Sequence, residues 1–447
     1  IPTRHCGRTQ ETLVNITKEE DFSKMKKRLS LLVLCILVLS LLGSTTAMAN
    51  PTITVWAWDP AFNIYAMNEA AKIYNEIAPD VQFDIVETPW DDVQTRLTTA
   101  VMAGQTGSLP DIMLIQDNAL MKNAMDFPGT FADLTNSGIN FGLFADFKVG
   151  LTSVDGKNYA VPFDNGAAIN ALRVDVLEEA GFTLADFTDI TWSDFIAKGK
   201  VVLEKTGKPL LSVVSESPDL VMMGLQSAGT WMFDEEGNVF LAQNAALKEV
   251  IEVYVELVKS GVMVQVNDWE QYISSFTRGT VAGTMNGCWI IGSIVQPEDQ
   301  KGLWGITNIP RLESVPNATN YSNQGGSSWV VRADSPNRDI AIDFLAKTFA
   351  GSVQLYETIL PSSGALATYL PAGDSEAYGV PHEYFGGQAI YSDITQYAAR
   401  VPQVKYGVYN YEARDAVGVA IAKVLAGLDI DSALREAEET VKFLMEF

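Results

Sequence analysis

Cysteine and histidine are nearly missing from this chain: its 447 residues include three Cys and two His. Past Ala49 only Cys288 and His382 remain. A zinc site built on His and Cys, a Ser-His-Asp triad and a Cys-His pair each need more of these residues, and one cysteine cannot close an intramolecular disulfide. Most familiar hydrolase chemistries are thereby excluded. Basic residues are also short, 31 Lys and Arg against 55 Asp and Glu, for a net charge of −24. Such an acidic surface repels nucleic acid and anionic lipid, so neither is an expected partner. The apolar run from Leu29 to Leu42 falls short of the about 20 residues that span a bilayer. No internal repeat, low-complexity tract or long flexible linker is present.

That short run belongs to an export signal. Met25 is followed by Lys26, Lys27 and Arg28, then the apolar stretch, then small residues at Ala47-Met48-Ala49, the layout of a secretory signal peptide over residues 25–49. The expected start is therefore Met25, with residues 1–24 lying upstream of it, and cleavage is expected after Ala49. The mature protein is expected in a periplasm or on the extracellular face. Cys35 is a conceivable lipid-attachment site, but bulky Leu34 precedes it and apolar residues continue beyond it, so anchoring is not favoured.

The chain beyond Ala49 is long enough for about two domains. Ile53–Trp58, Val81–Val86 and Asp111–Ile115 read as strands. The segment from Ile64 to Ile77 and that from Asp91 to Met102 carry apolar residues at helical spacing. Alternation of this kind predicts an α/β fold with parallel strands and helices on both faces. Further on, Asn158–Phe163 and Trp304–Ile309 are extended, and Ala245–Lys259 is helical. Ser335-Pro336 opens a helix over Asp339–Ala350, and Ala413–Phe447 is helical with a break at Gly427 and a cap at Asp431 or Ser432. The proline-bearing segments Asn158–Asp164 and Trp304–Pro310 are the expected crossings between the two halves.

In such sheets, ligands gather at the carboxyl ends of the strands. Three loops come after strands here: Trp58 to Asn63, Thr88 to Asp91, and Gln116-Asp117-Asn118. Tryptophans 58, 90, 231, 289 and 329 lie beside Gly and Pro or on turns rather than at core-facing helix positions. Sugars present apolar C–H faces rimmed by hydroxyls, which aromatic rings and carboxylates together recognise. Trp58-Asp59, Trp90-Asp91 and Phe163-Asp164-Asn165 each combine the two. The alternative for each tryptophan is burial in a core or at an interface between the halves.

The run Gly279-Thr280-Val281-Ala282-Gly283-Thr284-Met285-Asn286-Gly287-Cys288-Trp289 resembles the Gly-x-x-Ala-Met-x-x-x-Gly-x-Trp motif of the extracellular solute-binding proteins of ABC sugar importers, the family that includes maltose-binding proteins. It departs from that motif in placing Gly283-Thr284 between the alanine and Met285. Other segments resemble the family in its own order: Ile53-Thr54-Val55-Trp56, Leu109-Pro110-Asp111-Ile112, Tyr159-Ala160-Val161-Pro162, Asn170-Ala171-Leu172-Arg173, Thr191-Trp192-Ser193-Asp194-Phe195, and Ala426-Gly427 through Ala433-Leu434.

The resemblance implies a two-lobe periplasmic-binding-protein fold, each lobe a mainly parallel sheet with flanking helices, joined by a hinge. Residues 50–162 and 311–362 would form the N-terminal lobe, and 163–310 and 363–447 the C-terminal lobe. It implies a monomeric receptor without catalytic residues, metal or cofactor, which closes around a carbohydrate and delivers it to transmembrane permease subunits. By resemblance Trp289 stacks on the sugar, Asp59 and Asp117 bond its hydroxyls, and Gly326 and Ser327 bring backbone amides close to it. Gly325-Gly326-Ser327-Ser328-Trp329 lacks the Gly-Lys-Ser/Thr ending of a phosphate-binding loop. With Trp58, Trp90, Gln116, Phe163, Asp164, Trp231 and Arg400 the candidate set is complete; for Arg400 a surface or structural ion pair is the alternative. Cys288 is assigned burial and no role, and His382 a structural or exposed position. Two other functions remain open on residues alone, a secreted glycoside hydrolase and a binding protein for a non-sugar solute.

Overall fold

The computed structural model describes Met25 and residues 50–446. The upstream segment 1–24, the signal over 25–49 and Cys35 otherwise lie outside the described residues. In chain order the elements that matter here are β1 (Thr52–Ala57), α1 (Asn63–Asn75), β2 (Gln82–Glu87), α2 (Trp90–Met102), β3 (Ile112–Gln116), α3 (Asp117–Asp126), α4 (Asp146–Thr152), β4 (Ala160–Pro162) and β5 (Ala168–Arg173). Next come α5 (Trp192–Thr206), β6 (Leu211–Val214), α6 (Asp219–Ser227), α7 (Ala245–Lys259), β7 (Met263–Val266), α8 (Trp269–Thr277), β8 (Gly283–Gly287) and β9 (Trp304–Thr307). The last are β10 (Ser327–Val331), α9 (Arg338–Lys347), α10 (Val353–Ser363), α11 (Ile390–Ala398), α12 (Asn410–Leu425) and α13 (Ile430–Leu444). No helix among the described residues is long and apolar enough to cross a membrane.

Period-two alternation builds the first layer. Its five strands run in the order β2-β1-β3-β10-β4, with β1 parallel to β2 and β3, and β10 antiparallel to both β3 and β4. Ile112, Leu114, Trp329 and Val331 point into one core with Met67, Tyr74 and Phe344. Their neighbours Met113, Ile115 and Val330 point into the opposite core with Val93, Leu97 and Leu120. Both faces are thus covered by helices, as the strand-helix alternation predicts.

The second layer departs in detail from a parallel sheet. β5 is antiparallel to both β8 and β9, while only the pair β6-β7 is parallel. The same two-sided logic holds: Leu172 packs with Trp192, Phe195 and Tyr254, whereas Ile169, Ala171 and Ile306 pack with Phe276, Ile390 and Tyr391.

Several local expectations are corrected. Trp329 is no turn residue: it sits at 0 % exposure inside β10 against Phe163 and Phe349. The final helix is capped by Asp429, whose carboxylate accepts the Ser432 N–H at 3.0 Å, rather than by Asp431 or Ser432. Trp304–Pro310 is not a crossing, because β9 lies inside the second layer and the chain beyond it stays there: Arg311 N–H bonds Ile190 O and Asn320 reaches Ile190 O and Ile309 O. The return lies at Asn323–Gly326, where Ala167 bridges Asn323; Asp164 likewise bridges Ala367 on a third passage.

The Pro110-Asp111 start of β3 has a clear physical reason. Buried Asp111 accepts the Thr54 N–H at 2.8 Å and the Thr54 hydroxyl at 2.9 Å, and also bonds Ser335 and Asn337, tying β1, β3 and the approach to α9. Burial alone would raise its pKa, but the bonds from Ser335, Thr54 and Asn337 hold it below the ordinary carboxylate value. A depressed carboxylate stabilises the fold above its unfolded pKa and loses that contribution as pH falls through the folded one. Asp111→Ala is expected to cost about 3 kcal/mol at neutral pH, because buried donors lose their acceptor. The difference from wild type should shrink as pH drops below about 4, as followed by urea denaturation across pH.

Candidate functional site

Between the two layers lies a cleft of about 370 Å³. The first layer supplies strand ends, as an α/β sheet requires. After β1, Asn63 Oδ1 accepts the N–H groups of Trp58 (3.1 Å) and Asp59 (3.0 Å), and Asp59 accepts those of Ala61 and Phe62, so the turn is rigid and Trp58 is held at the cleft. After β3, Gln116 and Asp117 reach the cleft at the start of α3. Ahead of β10, Gly326 and Ser327 do the same.

The second layer faces these groups with aromatics. Trp231 donates its indole N–H to Asn410 at 2.8 Å and meets Tyr406 edge to face. Trp289 donates to Gln324 O at 2.8 Å and lies at 39° to Trp269. This geometry explains the Gly-x-Trp spacing. A Cβ at Gly287 would come within 2.3 Å of both Gln324 O and the Trp289 ring nitrogen, so only glycine lets the ring lie there.

Trp58, Asp59, Gln116, Asp117, Asp164, Trp231, Trp289, Gly326 and Ser327 therefore share one cleft. The other candidates do not reach it. Trp90 packs against Trp58 at 5.4 Å and supports it from behind. Phe163 is fully buried against Phe62 and Trp329, since it continues β4 into the core face of the sheet. Arg400 is exposed, lies 5.1 Å over the Tyr321 ring and bonds its hydroxyl, so its partner is a phenol rather than the carboxylate of an ion pair.

Sequence reasoning missed Trp269, 49 % exposed at the cleft, although Asp268-Trp269 offered the same aromatic-carboxylate signal as Trp58-Asp59. It also missed the Arg414–Asp219 ion pair, whose partners lie 195 residues apart. Lys148 gave no signal, yet it is 1 % exposed beneath the cleft floor.

The floor is the most constrained part of the site. Lys148 pairs with Asp117, which also accepts the Ser328 hydroxyl at 2.6 Å. Asp164 accepts the Ser327 N–H at 2.8 Å and the Ser327 hydroxyl at 2.5 Å. Burial holds the Asp164 pKa above the ordinary carboxylate value and Asp117 adds to the rise; Lys148 and the Ser327 bonds oppose it without cancelling it. Across the cleft the halves touch directly. The Tyr411 hydroxyl lies 2.6 Å from Gln116 Oε1 and 2.8 Å from Asn118 Oδ1, and Lys122 pairs with Glu412.

Among the described residues, no group of three or more His, Cys, Asp and Glu side chains could hold a metal ion. Cys288 is buried with its thiol toward Asn165 O, and burial pushes its pKa up, which removes it as a nucleophile. His382 accepts the Tyr384 N–H at the start of a short turn, and burial lowers its pKa.

Comparison with known proteins bears on this architecture. Residues 69–367 match the family model described as bacterial extracellular solute-binding protein. The chain is 38% identical over 419 residues to a lactose-binding protein of Rhizobium radiobacter, spanning 94% of this chain and 98% of that one. Among solved structures, the GacH receptor of Streptomyces glaucescens, studied unliganded and with acarbose, superposes with a TM-score of 0.74 at 19% identity, covering 89% of this chain and 99% of that one. The galacto-N-biose/lacto-N-biose I-binding protein of Bifidobacterium longum superposes with a TM-score of 0.73 at 20% identity, covering 89% and 98%.

Gly326 has φ +104°, and a Cβ there would stand 2.7 Å from Asp117 Oδ2 and 2.9 Å from Lys148 Nζ. Gly326→Ala is expected to lower stability by at least about 2 kcal/mol, since strain and a clash with buried groups add. Gly129→Ala, with φ +82° but no atom within 4 Å of the added carbon, is expected to cost only about 1 kcal/mol. Thermal denaturation of the two variants side by side tests the difference.

Proposed function

The chain belongs to the bacterial extracellular solute-binding protein family, and from that premise we propose that it is the substrate-binding receptor of an ABC importer, capturing a carbohydrate of about two rings by closure of its two halves. The reading rests above all on the cleft itself: tryptophan faces at 58, 231 and 289 surround the acceptors Asp59, Gln116, Asp117 and Asp164 and the backbone at Gly326-Ser327. Aromatic faces take the C–H surfaces of a pyranose, and the polar rim takes its hydroxyls. The 38% identical relative is named for lactose, and the Bifidobacterium structure holds lacto-N-biose, which favours a disaccharide. A cleft of about 370 Å³ is of the size such a ligand needs.

In this proposal the hinge is formed by residues 163–167, 323–326 and 364–367, which run side by side between the layers: Asn165 N–H bonds Leu366 O and Gln324 N–H bonds Gly166 O. Closure brings the aromatics of one half onto a ligand held by the polar groups of the other. Free energy favours the closed form only through contacts absent in the open one. The sugar leaves unaltered, passed to permease subunits from a monomer in the periplasm or at the outer face of the membrane.

Calorimetry with lactose, a galactobiose, maltose and an arabino-oligosaccharide is expected to give one-to-one binding for at least one of them, with no new reducing ends on prolonged incubation. Trp289→Ala and Trp58→Ala should each weaken binding by about 2 kcal/mol, roughly thirtyfold. Arg400→Ala should change it less than twofold. Silence across the whole panel, or release of monosaccharide, would sink the proposal.

A further inference from the structure

A second space adjoins the cleft and is larger than it, about 590 Å³. Asp117, Asn118 and Tyr406 line both, so the two meet where β3 gives way to α3. Its walls come from both halves. The helices α3 and α4 contribute Met121, Met125 and Leu151, and the second half contributes Phe233, Val408 and Met445. Gly407 lets one wall close: its φ is +78° and a Cβ there would stand 2.6 Å from the Phe233 ring, so glycine alone brings the chain this near.

The chemistry of this space differs from that of the cleft. Among the described residues, no tryptophan lines it. Much of its polar lining is already engaged: Asp234 accepts the Asn238 N–H at 2.8 Å, Glu235 pairs with Lys405, and Gln226 accepts the Tyr406 hydroxyl at 3.2 Å. Asp146 and Glu236 are exposed to water. A further sugar ring would need free donors and acceptors on several sides. An anion would find Lys405 committed and carboxylates around it. What the space does offer is apolar surface, with methionine on two of its walls, and the unbranched thioether side chain adapts to apolar groups of varied shape.

We propose that this space receives an apolar group joined to the sugar, so that the ligand is a glycoside whose sugar sits in the cleft and whose alkyl or aryl aglycone lies against Met121, Leu151, Phe233 and Met445. This rests on the sugar-binding reading and adds to it what the sugar carries. The anomeric oxygen then leaves the cleft past Asp117 and Asn118, the residues common to both spaces. Because the walls belong to both halves, an aglycone touches all of them only when the halves are together, and its burial adds to the free energy that favours closure.

The test compares methyl, hexyl and phenyl β-lactosides by calorimetry on the full chain and on the double variant Met121→Gln with Met445→Gln. Neither methionine lines the cleft, and glutamine is close to methionine in size. Wild type is expected to bind the hexyl and phenyl compounds one to one and about tenfold or more tighter than the methyl compound, from the apolar area buried. The double variant should bind the methyl compound within about twofold of wild type while keeping less than about a threefold preference for the other two. The neutral dye N-phenyl-1-naphthylamine probes the space without any sugar. Its fluorescence should rise saturably on wild type, fall when hexyl β-lactoside is added but not with methyl β-lactoside, and stay low on the double variant.

Hexyl and phenyl lactosides that bind no tighter than methyl overturn the proposal, as does a preference that survives in the double variant or a stoichiometry above one. A wild-type dimer that the double variant dissolves would give the space to a second copy of the chain, and overturns it as well. Should the double variant fail to fold, Met125→Gln, at a residue 50 % exposed, takes its place and is expected to lower the preference by about threefold. If wild type ignores all three lactosides while the dye still separates it from the variant, the apolar site stands and the sugar reading falls.

Discussion

The structure hangs on the placement of one strand. β10 arrives from the far end of the sequence and lies antiparallel between β3 and β4, pairing Ser327 with Gln116 and Ser328 with Pro162. Its alternation sends Trp329 and Val331 into one core and Val330 into the other, while its leading residues emerge at the cleft. A slip of one residue would reverse every side chain, so the hydrophobic demand of two cores fixes the register. That register in turn brings the Ser327 and Ser328 hydroxyls to Asp164 and Asp117. Stability and recognition are therefore set by the same pairing, and the polar floor inherits its accuracy from apolar burial on either side.

How much of this was legible depends on how local each signal is. Trp58, Asp59, Gln116 and Asp117 could be placed at the cleft because each ends or comes after a strand whose apolar run is visible in a few residues. Trp289 was singled out by resemblance to a family motif, and the packing of Gly287 against Gln324 O accounts for the Gly-x-Trp spacing in that motif. Trp329 and Phe163 were misplaced for one reason: both adjoin glycine or a polar pair and look like loop residues until β10 is inserted. Arg414 and Lys148 were invisible because a charged side chain declares its burial only through its partner. For Arg414 that partner is 195 residues away, and Lys148 sits on a helix too short to show a periodicity. Antiparallel pairing in the second layer was equally hidden, since β5, β8 and β9 are short and pair with strands distant in sequence.

The charge distribution also accounts for what the cleft can accept. Asp59, Asp117, Asp164 and Asp219 stand around it against Arg414, with Lys148 beneath its floor. Arg414 is already committed to Asp219. An anionic ligand would find no free cation among these groups and would meet excess negative charge, whereas a neutral polyol needs acceptors and stacking faces and no counter-charge. The acidity of the chain as a whole points the same way, since it discourages association with nucleic acid or anionic lipid without weakening the approach of an uncharged solute.

The direct contacts between the halves bear on how such a site is tuned. Tyr411 and Glu412 of the second half hold Gln116, Asn118 and Lys122 of the first, next to the very residues that line the cleft. If the halves swing apart about residues 163–167, 323–326 and 364–367, these bonds break together with any bonds to a ligand. A contact that exists only in the closed form favours closure before ligand arrives and lowers what the ligand must contribute. Because Gln116 ends β3 and Asp117 begins α3, the same few residues transmit both effects: the clasp to Tyr411 fixes the end of β3, and the end of β3 fixes Asp117 over Lys148. The clasp between the halves and the buried Asp117–Lys148 pair thus meet at a single strand end.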